Sequence, residues 1–298
     1  MTRLIFFGSS ALSVQVLEHL LTTPDIEVVA VVTKAPAEHG HSHSQDTPVA
    51  RIALDHSIPL LRPLHADEII TDLKQYGAEV GVLFAYGQIL SDSLRAVFPH
   101  GIVNIHPSLL PQYRGPSPIE AALLAGDTTV GTSIMVLESG MDTGPLLSQK
   151  SLVISPTISK SDLTSLLMQA SLTLLVPTIQ EYLAAKIQPR TRDDTKASIC
   201  RLIHKSDGEI TLDSESIETF DRKVRAYAGW PTVSLSVLHH ETPIRLQIHA
   251  GHILNRDART TPDLRVTNKT LVIELKDGTY AIDQAQLPGR KIVSGRDL

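Results

Sequence analysis

The sequence predicts an α/β protein of two domains, a doubly wound, mostly parallel sheet followed by a small β-barrel of the OB type. Three observations predict it. The first two-thirds of the chain alternates short apolar runs with amphipathic stretches, a polar and proline-broken segment follows, and the last third alternates in β fashion around one short helix. With 298 residues the chain is long enough to bury two cores.

Leu4–Phe7, Glu27–Val32 and Glu79–Phe84 are short and rich in β-branched and aromatic residues, as strands buried on both faces are. Between them Leu12–Leu21, Val49–Asp55 and Asp67–Lys74 read as helices. Sheets wound in this way bind ligands beyond the carboxyl ends of their strands. Gly8-Ser9-Ser10 turns the first strand into the first helix. It falls short of a G-x-G-x-x-G, so an ordinary tight turn explains it better than a dinucleotide site. Thr132–Leu137 reads as a further strand. A long helix starts near Ser161, read as its N-cap, with Leu163, Leu167, Ala170 and Leu174 at helical spacing. Pro177 is expected to kink or end it, and Ile179 to Ala185 to continue it.

Ile187 to Asp194 is polar and interrupted by Pro189, which places the linker there. The expected boundaries are 1–188 for the first domain, 189–200 for the linker and 201–298 for the second. In the second domain Ser216-Ile217-Glu218 leads a helix to Ala226. Ile244–Ile248 and Leu271–Leu275 alternate as strands, and Lys276-Asp277-Gly278-Thr279 is a hairpin-turn signal.

A net charge of −5 gives no general signal for nucleic acid. The charge is uneven, however. Residues 1–199 hold 13 Lys and Arg against 19 Asp and Glu, and residues 200–298 hold 14 against 13, so the C-terminal part is the better placed to face a polyanion. The single cysteine, Cys200, allows no internal disulfide, reads as inert, and suits a reducing, cytoplasmic setting. The apolar run Leu4–Phe7 after Met1-Thr2-Arg3 is too short for a signal segment or a membrane span, so no membrane association is expected.

The informative stretch is Gly101 to Ile119. Val103 and Ile105 alternate with Asn104 and His106, so a strand presents Asn104 and His106 on one face, and Pro107 ends its ladder. Taken alone, such a pair is more often buried and satisfied by the backbone than functional. The next strand, Thr132–Leu137, runs into Glu138-Ser139-Gly140-Met141-Asp142-Thr143-Gly144, which sets an acid between two glycines at the same sheet edge. A carboxylate there is placed to orient an imidazole and stabilise its charged form.

Asn104-Ile105-His106-Pro107-Ser108-Leu109-Leu110-Pro111 resembles the signature of the folate-dependent formyltransferases, a family of glycinamide ribonucleotide, sugar-nucleotide and methionyl-tRNA enzymes. Phe84-Ala85-Tyr86-Gly87-Gln88-Ile89-Leu90 and Gly140–Gly144 extend the resemblance in the family's order and spacing. The resemblance implies a Rossmann-like first domain and a catalytic trio of Asn104, His106 and Asp142. It implies 10-formyltetrahydrofolate as formyl donor, no metal, and a folate pocket lined by Tyr86, Gly87, Gln88, Ile89, Leu90, Ser108, Leu109, Leu110 and Pro111. The residue types suit the chemistry. An amine attacks the formyl carbon, and the Asn104 amide and a protonated His106 donate to the oxyanion that develops, with one such donor worth about 2.7–4 kcal/mol. Asp142 holds His106 charged and helps to move the amine proton.

Arg114-Gly115 with Pro118-Ile119 resembles a motif of the tRNA and sugar enzymes. Arg225-Ala226-Tyr227-Ala228-Gly229-Trp230-Pro231, Lys205–Ile210 and Pro288-Gly289-Arg290-Lys291 resemble the second domain of the tRNA enzymes. This implies initiator methionyl-tRNA as the acceptor and a monomeric protein, with an amino-sugar nucleotide as the alternative acceptor. The tRNA contacts are expected at Lys34, Arg114, Arg222, Lys223, Arg225, Arg290 and Lys291, and Trp230 reads as a core aromatic. The segment after the second strand carries Lys34 but no arginine. Its alternating His39, His41 and His43 read as solvated side chains rather than metal ligands, and residues 34–47 are expected to be mobile.

Overall fold

Leu4 and Phe6 on one side of the first strand, and Ile5 and Phe7 on the other, are all fully buried, so the sheet they open is covered on both faces. The computed structural model describes residues 1–36, 46–239, 242–257, 262–267 and 270–297. His39, His41 and His43, with the expectations placed on them, lie outside the described residues. The chain divides into two compact units. Met1–Arg114, Gly131–Leu152 and Ser165–Ile199 form the first, and Gly115–Val130, Val153–Thr164 and Cys200–Leu298 form the second.

The first unit is built on β1 (Thr2–Gly8), α1 (Ala11–Leu21), β2 (Ile26–Val32), α2 (Pro48–Asp55), β3 (Leu60–Leu61), α3 (Ile70–Gln75), β4 (Val80–Phe84), α4 (Asp92–Arg95) and β5 (Ile102–His106). The sheet order is β3-β2-β1-β4-β5-β6-β7, with β6 (Thr129–Val136) and β7 (Leu146–Val153) completing it. Strands β3 to β5 pair in parallel and β6 runs antiparallel to β5, so the sheet is mixed and mostly parallel, as the alternation predicts. The chain winds outward from β1 to β3, then returns to β4 beside β1. Ligands of such sheets bind at this reversal. There the two loops meet: Ser9 N–H donates to Ala85 O at 3.3 Å, and Ser13 Oγ donates to Phe84 O at 2.7 Å. Ser10 caps α1 in a capping box with Ser13, so Gly8-Ser9-Ser10 acts as the helix start.

One helix has no counterpart in the sequence reading and another departs from it. α5 (Pro118–Ala125) starts on Pro118 at its first position, where a missing N–H costs no hydrogen bond. α6 (Lys160–Leu183) begins one residue before the predicted cap Ser161, because Ser159, not Ser161, accepts from Asp162 N at 3.1 Å. It passes through Pro177 without ending. Pro177 and Thr173 lie on the exposed side, where water serves the carbonyl that proline leaves unbonded, while Leu175, Val176 and Ile179 bury the opposite side. By length and composition α6 is apolar enough to cross a membrane, but half of its apolar window is buried within the protein.

The second unit holds α7 (Ile217–Ala226) against an antiparallel sheet of order β10-β11-β12-β9-β8, with β13 paired to β12. These strands are β8 (Val233–His239), β9 (Thr242–Asn255), β10 (Asp263–Thr267), β11 (Thr270–Leu275), β12 (Gly278–Gln286) and β13 (Val293–Ser294). Ile217, Phe220 and Val224, one face of α7, fill the core, and Phe220 meets Tyr280 edge-on at 5.0 Å. The predicted hairpin forms with Leu275 opposite Gly278. The curled antiparallel sheet is the small barrel-like domain that the alternation predicts. Trp230 is not a core residue. It is 54% exposed, because Gly229 at φ +83 and Thr232 at φ +67 fold the chain tightly around Trp230-Pro231.

Candidate active site

β5 ends with Asn104 opposite Met135 and His106 opposite Ser133 of β6, both side chains on the face that alternation predicts. Asn104 is 6% and His106 5% exposed. Among the described residues no group bonds the Asn104 side-chain amide, which leaves it available to a ligand. His106 is held at both ring nitrogens. Nε2 donates to the Tyr113 carbonyl at 2.8 Å, and Nδ1 lies 3.5 Å from Asp142 Oδ2. Burial lowers the His106 pKa from its ordinary value. The Asp142 carboxylate and the Tyr113 carbonyl oppose that shift, and Arg192 adds to it.

Asp142 reaches His106 from the β6–β7 connection. Its own backbone is left-handed, φ 50, a conformation that Asp tolerates better than most residues. Gly144 closes the connection where a Cβ would stand 1.8 Å from the Val136 carbonyl oxygen. The bracketing glycines seen in the sequence thus have a steric cause. The Asp142 carbonyl accepts from Arg192 Nη2 at 2.6 Å. Arg192 touches this arrangement, a contact the sequence did not reveal, since it sits in the segment read only as a linker. Burial and the neighbouring Arg114 hold its guanidinium below the usual arginine value, opposed by Asp194, Asp142 and Glu138.

The residues assigned to folate divide. Tyr86 and Leu90 are buried, Tyr86 edge-on to Phe7 at 5.8 Å, and burial pushes the Tyr86 hydroxyl up to about 12. Gln88 ties the loop down, its Oε1 accepting from Ala66 N at 2.9 Å and its Nε2 donating to Leu64 O at 3.2 Å. Ile89 is 91% exposed. Gly87 has φ +78, and a Cβ there would stand 2.5 Å from Lys34 Nζ, so Lys34 lies over this loop. Ser108 donates to Gln112 O at 2.6 Å. Leu110 N donates to Ser133 Oγ at 3.1 Å and Leu110 O accepts from Gln149 Nε2 at 3.0 Å, which fixes Ser108, Leu109, Leu110 and Pro111 beside His106.

The residues assigned to tRNA divide as well. Arg114 pairs with Asp194, Lys223 with Glu215 and Arg225 with Asp221. Arg222 donates to Ala125 O at 3.2 Å, and Arg225 to Ile158 O at 3.2 Å. These four are engaged within their own units. Lys34, Arg290 and Lys291 are exposed.

The family model described as formyl transferase matches residues 2–179, and that of the formyl transferase C-terminal domain matches residues 202–298. The methionyl-tRNA formyltransferase of Chloroflexus aggregans is 35% identical over 299 residues, 98% of this chain and 95% of the relative. Among solved structures, the N-formyltransferase from Helicobacter canadensis in complex with folinic acid and dTDP-3-aminofucose superposes with a TM-score of 0.70 at 18% identity, over 96% of this chain and 100% of that one. HypX from Aquifex aeolicus superposes with a TM-score of 0.67 at 11% identity over 99% of this chain, which spans 48% of the HypX chain. The two solved structures establish likeness of fold.

Proposed function

The chain belongs to the formyl transferase family, and from that membership we infer that it transfers a formyl group to the free amino group of methionyl-tRNA, the initiator species, for translation initiation. The family uses folate, and the donor in this reading is 10-formyltetrahydrofolate. The amine nitrogen bonds to the formyl carbon, the bond from that carbon to the folate nitrogen breaks, and the proton lost by the amine replaces it there.

The observation that carries the reading is the Asn104 amide, which no described residue bonds, beside a His106 whose Nε2 is already committed to Tyr113. Asn104 donates to the formyl oxygen as negative charge grows on it, with no described residue competing for its amide. Nδ1 is the nitrogen of His106 that remains for chemistry. With Nε2 protonated, the neutral ring carries a lone pair at Nδ1 and accepts the amine proton. Asp142, 3.5 Å away, stabilises the imidazolium that results. The loops Tyr86–Leu90 and Ser108–Pro111 hold the folate in this reading, with Gln88 and Ser133 fixing their backbones.

Residues 1–188 carry the chemistry, 201–298 hold the tRNA and 189–200 join them. The protein is taken as a cytoplasmic monomer that uses no metal. Arg290 and Lys291, exposed and without acidic partners among the described residues, are the first phosphate contacts to test in the C-terminal domain. The second reading, an amino-sugar nucleotide as acceptor, rests on a fold likeness at 18% identity, against 35% identity along nearly the whole chain for the tRNA enzyme. The test offers the full chain 10-formyltetrahydrofolate with methionyl initiator tRNA and with a panel of amino-sugar nucleotides. Formyl-methionyl-tRNA is the expected product. A formylated sugar with the tRNA untouched would reverse the two readings.

A further inference from the structure

We propose that residues 190–199 form a clamp on the His106 ring, with Arg192 and Ser198 as positioning residues for formyl transfer, an assignment that rests on the functional reading above. His106 has two partners, the Tyr113 carbonyl at Nε2 and the Asp142 carboxylate at Nδ1. Neither partner sits in regular secondary structure, and Tyr113 and Asp142 both hold left-handed backbones, at φ 56 and φ 50. Such conformations persist only where the surroundings over-determine them. One short segment supplies a restraint to each.

Arg192 Nη2 donates to the Asp142 carbonyl at 2.6 Å. Ser198 Oγ accepts from the Tyr113 N–H at 2.8 Å. The segment is itself fastened at both ends. Arg190 and Leu146 exchange backbone hydrogen bonds of 2.8 and 2.9 Å. Ser198 O accepts from Arg114 N at 2.8 Å, and Ser198 N donates to Pro111 O at 3.3 Å. Both supports of the imidazole therefore trace to one strap.

The Arg192 guanidinium marks the purpose of the strap. Its Nε and Nη1 are buried and have no hydrogen-bond partner among the described residues, a cost that an apolar side chain would not carry. In return the guanidinium donates to the Asp142 carbonyl and faces the carboxylates of Asp194, Asp142 and Glu138. With the carbonyl held, the left-handed backbone directs the carboxylate at Nδ1. With Tyr113 held, its carbonyl keeps the ring proton on Nε2 and leaves Nδ1 as the reacting atom.

The test uses the full chain with saturating 10-formyltetrahydrofolate and methionyl-tRNA, together with ¹⁵N spectra of the His106 ring. Arg192→Gln and Ser198→Ala should each lower kcat by about 10²-fold, the scale that follows when a reacting group is displaced by about 1 Å. Both KM values should stay unchanged. Arg192→Lys keeps a donor and the charge and should restore most of the rate. In Ser198→Ala the ring signals should lose the preference for the Nε2-protonated form. Should Arg192→Gln fail to fold, Ser198→Ala and Arg192→Lys carry the test. Folded variants with the kcat of the parent chain, or losses confined to KM, would overturn the clamp. A parent chain that moves no formyl group to methionyl-tRNA would defeat the functional reading instead. The tautomer in Ser198→Ala would then still decide the clamp, and an unchanged ring would overturn it.

Discussion

His106 Nε2 stands 2.8 Å from the Tyr113 carbonyl oxygen. A carbonyl can only accept, so the proton of the neutral ring lies on Nε2, and Nδ1, facing Asp142, carries the lone pair. The groups that act on the ring are Asp142, the Tyr113 carbonyl and Arg192, and burial outweighs the others in lowering its pKa.

The sign of the pH dependence follows. In the proposed mechanism His106 is neutral before transfer, so kcat falls as pH drops through the pKa of the ring. Burial has moved that pKa below the ordinary value of about 6.5, so the acid limb of kcat should lie below about 6.5, with a level rate through neutrality. A kcat that falls as pH rises between about 6 and 7 would mean that the charged ring, donating to the formyl oxygen, is the working form.

Asp142→Asn separates charge from shape. Asn tolerates the left-handed backbone that position 142 adopts, so the loop should keep its course. The carboxylate that opposes the lowering of the His106 pKa is lost. The acid limb should move to still lower pH and kcat should fall by about 10²-fold, read from kcat against pH for the folded variant. An unmoved limb would remove Asp142 from the ring's electrostatics.

Gly144→Ala tests the steric basis of the loop. The added Cβ would stand 1.8 Å from the Val136 carbonyl oxygen, so the connection must shift. Overpacking of this kind costs about 1–3 kcal/mol, and thermal or denaturant unfolding should show a loss of that size with kcat reduced alongside. Parental stability and rate would show that the connection has slack.

For tRNA, charge substitutions are a better probe than truncation. A cut near residue 195 would strip residues 115–130 and 153–164 of the unit they pack with. Arg222, Lys223 and Arg225 hold internal partners, so their loss would disturb the unit as well as any phosphate contact. Arg290→Ala and Lys291→Ala touch exposed side chains, and each should reduce the slope of log affinity against log salt by about one. An unchanged slope in both would move the phosphate contacts elsewhere.

What the sequence made legible was local. β1, β2 and β4 appear as apolar runs because both faces of a parallel strand are buried. Asn104 and His106 fall on one face by the two-residue period of a strand. Gly140 and Gly144 flag the Asp142 loop because a Cβ would meet the Thr143 side chain at the first and the Val136 carbonyl at the second. The reversed direction of β6 left no mark, since a short buried strand reads alike in either direction. Trp230 misled because its type suggests a core, whereas two left-handed residues flanking Trp230-Pro231 turn it outward. Arg192 and Ser198 were hidden for another reason. They reach partners 50 and 85 residues away, and no period within a segment encodes such a contact.

The most direct test of the account is single-turnover formyl transfer to methionyl-tRNA with both substrates saturating, comparing the parent chain with Asn104→Ala. In the proposed mechanism the Asn104 amide, which no described residue bonds, donates to the formyl oxygen, so its loss should slow the transfer step by about 10²–10³-fold with substrate affinities unchanged. His106→Ala, which removes the proton acceptor, should be at least as slow. A folded Asn104→Ala protein that transfers the formyl group at the parental rate would contradict the assignment of the chemistry to the end of β5.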